Sequence, residues 1–222
     1  MRTHVVFDFD GTIADSGRVI LTVFNALADR HGFQRLTRDN LESLRRLSIR
    51  ERAVALGVPA WKLPFLIVEA TRLLRASMHV IGFNPGMKEL LEELQRRGLK
   101  VAIVSTNAEE NIRTFLQHHG AEALVDRVVC SSRLFGKAAL LKKVMKEERL
   151  QPEALIYVGD ETRDIEACRE VDVSVIGVTW GFDSEELLVA AKPDLLAKEP
   201  AEIVRWVLAN EAAGHVSVHR RS

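Results

Sequence analysis

The amino-acid sequence predicts an α/β fold, a parallel sheet covered on both faces by helices, with a helical cap inserted after the first strand. Three observations carry this. The runs "VVFDFD", "LKVAIVS" and "ALIYVGD" are apolar almost throughout, as strands buried on both faces are. They alternate with segments of helical periodicity, the pattern of parallel strands joined by crossover helices. Between about residues 16 and 82, by contrast, the helical signal runs on with no convincing strand.

The elements follow in order. A buried strand is predicted from Val5 to Asp10. Val19, Ile20, Val23, Phe24 and Leu27 then recur at helical spacing until Gly32 interrupts them. Helical signal continues through "NLESLRRLSIRERAVALG", stopped by Gly57 and Pro59, and through "WKLPFLIVEATRLLRASMHV". At residue 84 the character changes: Asn84 can cap a helix, Pro85 suits its first turn and Gly98 its end. The strand "LKVAIVS" follows, then a helix near 109–119, a short strand near 128–130 and a helix near 137–148. After the strand "ALIYVGD" come a helix near 163–170, the strand "VSVIGVT", and helices near 185–191 and 201–212. The expected division is therefore a core of residues 1–15 and 83–213, a cap of 16–82, and a frayed tail, "GHVSVHRRS", from 214 to 222.

Composition narrows the class. The 222 residues suit one large domain or one with a modest insertion, and 47% hydrophobic with 28% charged residues is the balance of a globular protein. Lys+Arg and Asp+Glu are equal at 31 each, so no bulk charge draws the chain to nucleic acid or an anionic membrane. No apolar run approaches the roughly 18 residues that span a bilayer, and the first residues lack a signal-peptide core. Cys130 and Cys168 have no CxxC spacing and read as buried free thiols, which fits a reducing cytoplasm.

Function is expected where the strands end, because open parallel sheets bind ligands beyond their carboxyl edge. Asp8 and Asp10 end the first strand, Ser105-Thr106-Asn107 follow "VAIV", and Gly159-Asp160, with Asp164 soon after, follow "LIYV". Lys137, in "FGK", opens a further helix. Several carboxylates gathered in one place do not all ionise without a counter-cation. An all-oxygen donor set favours a hard ion, Mg²⁺, over zinc. A cation beside a lysine and hydroxyls suits a phosphoryl group: the metal and Lys137 neutralise its oxygens, and Ser105 or Thr106 donates to them. A carboxylate can itself attack phosphorus.

These motifs carry a resemblance. "DFDGT" is similar to the first motif of the haloacid-dehalogenase-like (HAD) hydrolase superfamily, "VAIVSTN" to its second, Lys137 to its third and "GDETRD" to its fourth, in the same order. The match covers roughly residues 4–14 and 84–197, and it looks closest to the phosphoglycolate-phosphatase-like branch with a helical cap. The resemblance implies a Rossmann-like parallel core and an Mg²⁺-dependent phosphatase acting on a small phosphorylated metabolite through an aspartyl phosphate. By position, Asp8 would be nucleophile and metal ligand, and Asp10 the general acid, with its backbone carbonyl at the metal. Asp160 would complete the metal site, with Asp164 ligating or orienting its neighbours. Gly11, Ser105, Thr106, Asn107 and Lys137 would hold phosphate, Ser105 being favoured over Thr106, and Thr12 would close the turn. One departure is Ala138, where many relatives have proline after the lysine; it alters only the start of the helix.

Competing readings stand beside this one. Carbon–halogen hydrolysis needs neither metal nor an acid two residues after the nucleophile, so Asp10 and Asp160 argue against it. A phosphomutase uses the same acid pair, and a non-catalytic phosphate-binding module shares the fold. Asp15 and Ser16 read as helix caps, Trp61 and Trp206 as core, and Arg45, Arg46, Arg50 and Arg52 as a solvated helical face.

Overall fold

A computed structural model describes residues 2–131, 133 and 136–216. Strand β1 (His4–Phe7) is followed by helices α1 (Gly17–His31), α2 (Arg38–Arg45), α3 (Ile49–Ala55) and α4 (Leu63–Leu74). Then come α5 (Met87–Arg96), β2 (Lys100–Ser105), α6 (Glu109–His118), β3 (Arg127–Cys130) and α7 (Lys137–Glu148). The chain closes with β4 (Leu155–Gly159), α8 (Thr162–Arg169), β5 (Ser174–Val178), α9 (Glu185–Ala190), β6 (Leu195–Ala197) and α10 (Pro200–Val216). The six strands form one sheet in the order β3-β2-β1-β4-β5-β6, and every pairing is parallel. This is the α/β, Rossmann-like architecture the sequence predicts.

Strand periodicity explains the two faces. Val5, Phe7, Val101, Ile103, Ile156 and Val158 pack on one side with Leu90, Leu91 and Leu94 of α5 and Ile112 and Phe115 of α6. Val6, Ala102, Val104, Leu155 and Tyr157 turn to the other, against Leu141 and Val144 of α7 and Ile165 and Cys168 of α8. Since side chains alternate along a strand, Asp8 continues the row of Val6 toward α7 and α8. Its N–H still donates to Val158 O at 2.8 Å, extending the ladder by one residue.

Strand order fixes where a site can form. From β1 the chain moves outward through β2 to β3, then returns to place β4 on the other side of β1. The two crossovers leave in opposite directions and open a crevice above β1, the position at which doubly wound sheets bind ligands.

Helices α1 to α4 occupy the stretch between β1 and α5, and their apolar side chains (Val23, Leu27, Ala53, Leu66) join the cluster on the α5–α6 side of the sheet. Helices α2 and α3 each start with a capping box, Thr37 with Asn40 and Ser48 with Glu51, which satisfies amide groups a short helix would otherwise leave open. Among the described residues no single helix is long and apolar enough to cross a membrane.

Several details differ from the sequence reading. Helix α5 begins at Met87 behind its N-cap Gly86, which has a φ of +79°; Asn84 and Pro85 lie before the helix. Strand β6 has only three residues, and "DLLAKEP" has no alternation from which to read a strand. Trp61 is 68% exposed and not core, while Trp206 is half-buried beneath the Arg2 guanidinium, 4.1 Å from its ring centroid. Ser16 stands at the N-cap of α1 but makes no capping hydrogen bond. Helix α10 takes in the first residues of the tail expected to fray from 214, and residues 217–222 lie outside the described ones. Cys168 is a buried free thiol; Cys130, also free, is only half-buried.

Candidate active site

The carboxyl ends of β1, β2 and β4 bring the predicted residues together. One oxygen each of Asp8, Asp160 and Asp164 falls within 4.8 Å of the others, and all three residues are buried. Lys137, the first residue of α7, projects among them with its side chain 2% exposed. Its Nζ lies 2.6 Å from Asp8 Oδ2 and 2.5 Å from Asp164 Oδ1. A lysine at a helix N-terminus opposes the helix dipole, so its place there is explained by the carboxylates it faces.

Each acid is held by a hydrogen bond. Asp8 Oδ1 accepts from Phe9 N–H at 2.8 Å. Asp160 Oδ1 accepts from the Thr12 hydroxyl at 2.7 Å and Oδ2 from Phe182 N–H at 2.7 Å. Asp164 Oδ2 accepts from Glu161 N–H at 3.2 Å, so Asp164 caps α8 as well as joining the cluster. Thr12 was expected to close its own turn; its hydroxyl instead goes to Asp160, and its carbonyl is held from outside by Asn84 Nδ2 at 2.9 Å and Trp180 Nε1 at 3.1 Å.

Gly11 is required by geometry. Its φ is +79°, and a Cβ there would lie 2.4 Å from Asp160 Oδ2 and 2.8 Å from the Phe182 ring. Its N–H donates to Ala14 O at 3.0 Å. The contribution of Gly11 is thus the room it leaves, not an amide turned to a phosphate. Asn84 Nδ2 also bonds Gly11 O at 3.0 Å, so the side chain expected to cap α5 instead clamps this turn.

Asp10 stands apart from the three clustered acids. Asn107 Nδ2 donates to its Oδ2 at 2.9 Å. Its Oδ1 and the hydroxyl oxygen of Ser16 are buried and make no hydrogen bond of normal geometry, though the Ser16 hydroxyl is close enough to favour the ionised Asp10. Ser105, 1% exposed at the end of β2, accepts Asn107 N–H at 3.0 Å through its hydroxyl oxygen, which leaves its own hydrogen to donate. Thr106 is half-buried beside it.

The electrostatics follow from burial. Desolvation raises the Asp8 carboxyl despite the opposing Lys137, and it raises Asp10 against the bond from Asn107. Asp160 is raised well above the usual range, first by burial and then by Glu161, Asp8 and Asp164. Asp164 is pushed up by burial, against Lys137, to about 6. For Lys137, burial works against the charge, but Asp164 and Asp8 outweigh it and the ammonium is held above its ordinary range. Ionised together, the three carboxylates would leave two negative charges uncompensated by the one ammonium among them, and a divalent cation with oxygen ligands would supply that balance.

Further residues, outside the predicted set, hold the site from behind. Arg45 donates to Phe182 O at 3.2 Å and to Gly181 O at 3.0 Å, and Arg52 pairs with the buried Asp183. Both belong to the face read as solvated; they instead grip the loop whose Phe182 N–H binds Asp160. Within "GDETRD", Glu161 is buried and Arg163 donates to it through Nε at 2.8 Å; the alternating charge of that motif was the available signal.

Comparison with known proteins agrees with this geometry. The family model for haloacid dehalogenase-like hydrolases matches residues 5–178. A phosphoglycolate phosphatase of Synechococcus elongatus is 35% identical over 203 residues, covering 91% of this chain and 96% of that protein. Among solved structures, a predicted phosphatase from Clostridium acetobutylicum superposes with a TM-score of 0.80 at 20% identity, covering 94% of this chain and 99% of the other. CbbY of Rhodobacter sphaeroides, solved in complex with phosphate, superposes at 0.70 with 20% identity over 91% and 97% of the two chains. The chain belongs to the haloacid dehalogenase-like hydrolase family. Within it the chain falls on the phosphoglycolate-phosphatase-like branch and is an enzyme of the phosphatase class.

Proposed function

We propose that the chain is an Mg²⁺-dependent phosphatase that hydrolyses a small phosphomonoester, of which phosphoglycolate is the first candidate, through a phosphoryl intermediate on Asp8. The observation that carries this reading is the buried set Asp8, Asp160 and Asp164 around Lys137. The metal would be held by Asp8 and Asp160, with Asp164 and the Asp10 carbonyl completing or orienting the set. When bound it supplies charge neutralisation to the phosphoryl oxygens.

The residues then divide the work. A carboxylate oxygen of Asp8 forms a bond to phosphorus as the bond to the ester oxygen breaks. Asp10, its carboxyl raised by burial, gives its proton to the departing alcohol oxygen. A water next attacks phosphorus, Asp10 takes the water's proton, and the bond to Asp8 breaks to release phosphate. Lys137 keeps a positive charge beside Asp8 throughout, which its raised pKa supports. The free hydrogen of Ser105 would donate to a phosphoryl oxygen, with Thr106 and Asn107 beside it, a role supported by the Ser105 hydroxyl oxygen already accepting from Asn107 N–H.

Residues 16–82 act in this reading as a cap on the core of residues 1–15 and 83–213, shielding the intermediate from bulk water. Two contacts support it: α4 meets α6 through the Thr71 carbonyl, and Arg45 and Arg52 hold the loop after β5. Phosphoglycolate comes from the similarity to the Synechococcus enzyme, and a reducing, cytoplasmic setting is supported by the two free thiols. The test is turnover of a panel of phosphorylated metabolites with Mg²⁺. Release of phosphate that EDTA and Asp8→Asn both abolish is the expected result; an active Asp8→Asn protein would remove the nucleophile.

A further inference from the structure

Asn107 is the hydrogen-bond partner of the acid Asp10, and what fixes Asn107 is a second asparagine one helical turn on. Asn107 and Asn111 are both buried, at 4% and 2% exposure. Asn107 Oδ1 accepts two bonds, from Ala108 N–H at 2.8 Å and from Asn111 Nδ2 at 2.8 Å. Those two donors settle which end of the amide is which. Oxygen faces α6, so Nδ2 faces Asp10 Oδ2 at 2.9 Å. With the amide reversed, its oxygen would meet a carboxylate and its hydrogens would meet two donors.

Asn111 is itself anchored from the helical segment. Its Nδ2 gives its other hydrogen to the Thr71 carbonyl of α4 at 2.9 Å, and Arg75, just beyond α4, reaches Glu110 at 3.0 Å alongside. An amide nitrogen has two hydrogens, and here one serves α4 and one serves Asn107. A continuous chain of hydrogen bonds therefore links the Thr71 carbonyl, through Asn111 and Asn107, to Asp10.

We infer that Asn111 is a positioning residue for the acid Asp10, acting through the amide orientation of Asn107 and set by the seating of α4. This rests on the proposed phosphatase reaction and adds to it a residue outside the four motifs. It also ties the acid to the cap: the hydrogen bond that holds α4 on the core comes from the same NH₂ group that orients the acid's partner.

The test uses the leaving-group dependence of kcat/KM, which reports the steps up to phosphoryl transfer. Substituted phenyl phosphates are hydrolysed with Mg²⁺ by the wild type, Asn111→Ala, Asn107→Ala and the double variant. A positioned acid matters most when the leaving oxygen is basic, so Asn111→Ala should lose about tenfold on phenyl phosphate and under about twofold on 4-nitrophenyl phosphate. Asn107→Ala should show the same steepened dependence, and the double variant should be no steeper than Asn107→Ala alone. Equal losses across the series, or additive effects in the double variant, would overturn the inference. If Asn111→Ala does not fold, Asn111→Ser, which has one hydrogen for two acceptors, carries the same comparison. A wild type that fails to turn over any aryl phosphate would instead sink the phosphatase reading, so the two failures are distinguishable.

Discussion

Replacing Lys137 by methionine tests the charge balance of the site. Methionine keeps most of the side-chain volume, so packing against Tyr157, whose ring centroid is 5.6 Å from Nζ, is largely retained. What is lost is the ammonium 2.6 Å from Asp8 and 2.5 Å from Asp164, in a place only 2% exposed. Removing one partner of a buried pair leaves an uncompensated charge and costs about 3–5 kcal/mol. For a chain of this size each kcal/mol moves Tm by roughly 2–4 °C, so the metal-free variant should melt some 6–20 °C lower near neutral pH. Protonating the carboxylates removes the charge that was stranded, and Asp164, held at about 6 against the lowering effect of Lys137, takes up its proton at higher pH once that ammonium is gone. The deficit should therefore shrink as pH falls to about 5, and Mg²⁺ at neutral pH should recover part of it. Melting curves by circular dichroism across that range, with and without Mg²⁺, give the answer. A deficit under 2 °C, or one that grows on acidification, would refute the reasoning.

Other outcomes follow from the same geometry. In the metal-free wild type, carboxyls with raised folded-state pKa, Asp160 and Asp164 among them, favour the fold while protonated. That stability is present below the unfolded pKa of about 4 and is lost as pH climbs through the folded value. The rise in Tm on adding Mg²⁺ should accordingly be larger near pH 8 than near pH 5, about as metal binding to ionised carboxylates demands; an equal or inverted effect would contradict it. Gly11→Ala combines a φ of +79° with a Cβ 2.4 Å from Asp160 Oδ2, so it should lower Mg²⁺ affinity at least about tenfold in an activation titration, beyond the roughly 1–2 kcal/mol of backbone strain. Arg52→Ala strands the buried Asp183. It should lower Tm by several degrees and raise KM more than it lowers kcat, and an unchanged KM would show that the grip on the loop after β5 does not matter to substrate.

Much of the site was legible because its chemistry sits at the ends of apolar runs. Asp8, Ser105 and Asp160 interrupt strands whose burial is plain from composition, and local periodicity predicts those strands directly. Lys137 was legible only through the order of the motifs, since nothing near it distinguishes it from a solvated lysine. The residues that escaped are those whose partners are remote. Arg52 and Asp183 are 131 positions apart, and an arginine on a short amphipathic helix looks the same in sequence whether it faces water or a loop. Asn84 misled for a related reason: the amide that could cap α5 has the same donors and acceptors as one that clamps the Gly11–Thr12 turn 72 positions away. Strand β6 has three residues, too few for alternation to show. Trp61 read as core on hydrophobicity alone, yet it is 68% exposed, as a single apolar side chain on a surface can be.

Trapping the intermediate is the most direct test of the central claim. Enzyme mixed with substrate and Mg²⁺, quenched in acid within the first turnover and digested, should yield the peptide that contains Asp8 heavier by one phosphoryl group. That species should be absent from Asp8→Asn and from EDTA-treated protein. Phosphate on any other residue, or steady turnover with no modified peptide in a time course that resolves the first cycle, would contradict the account.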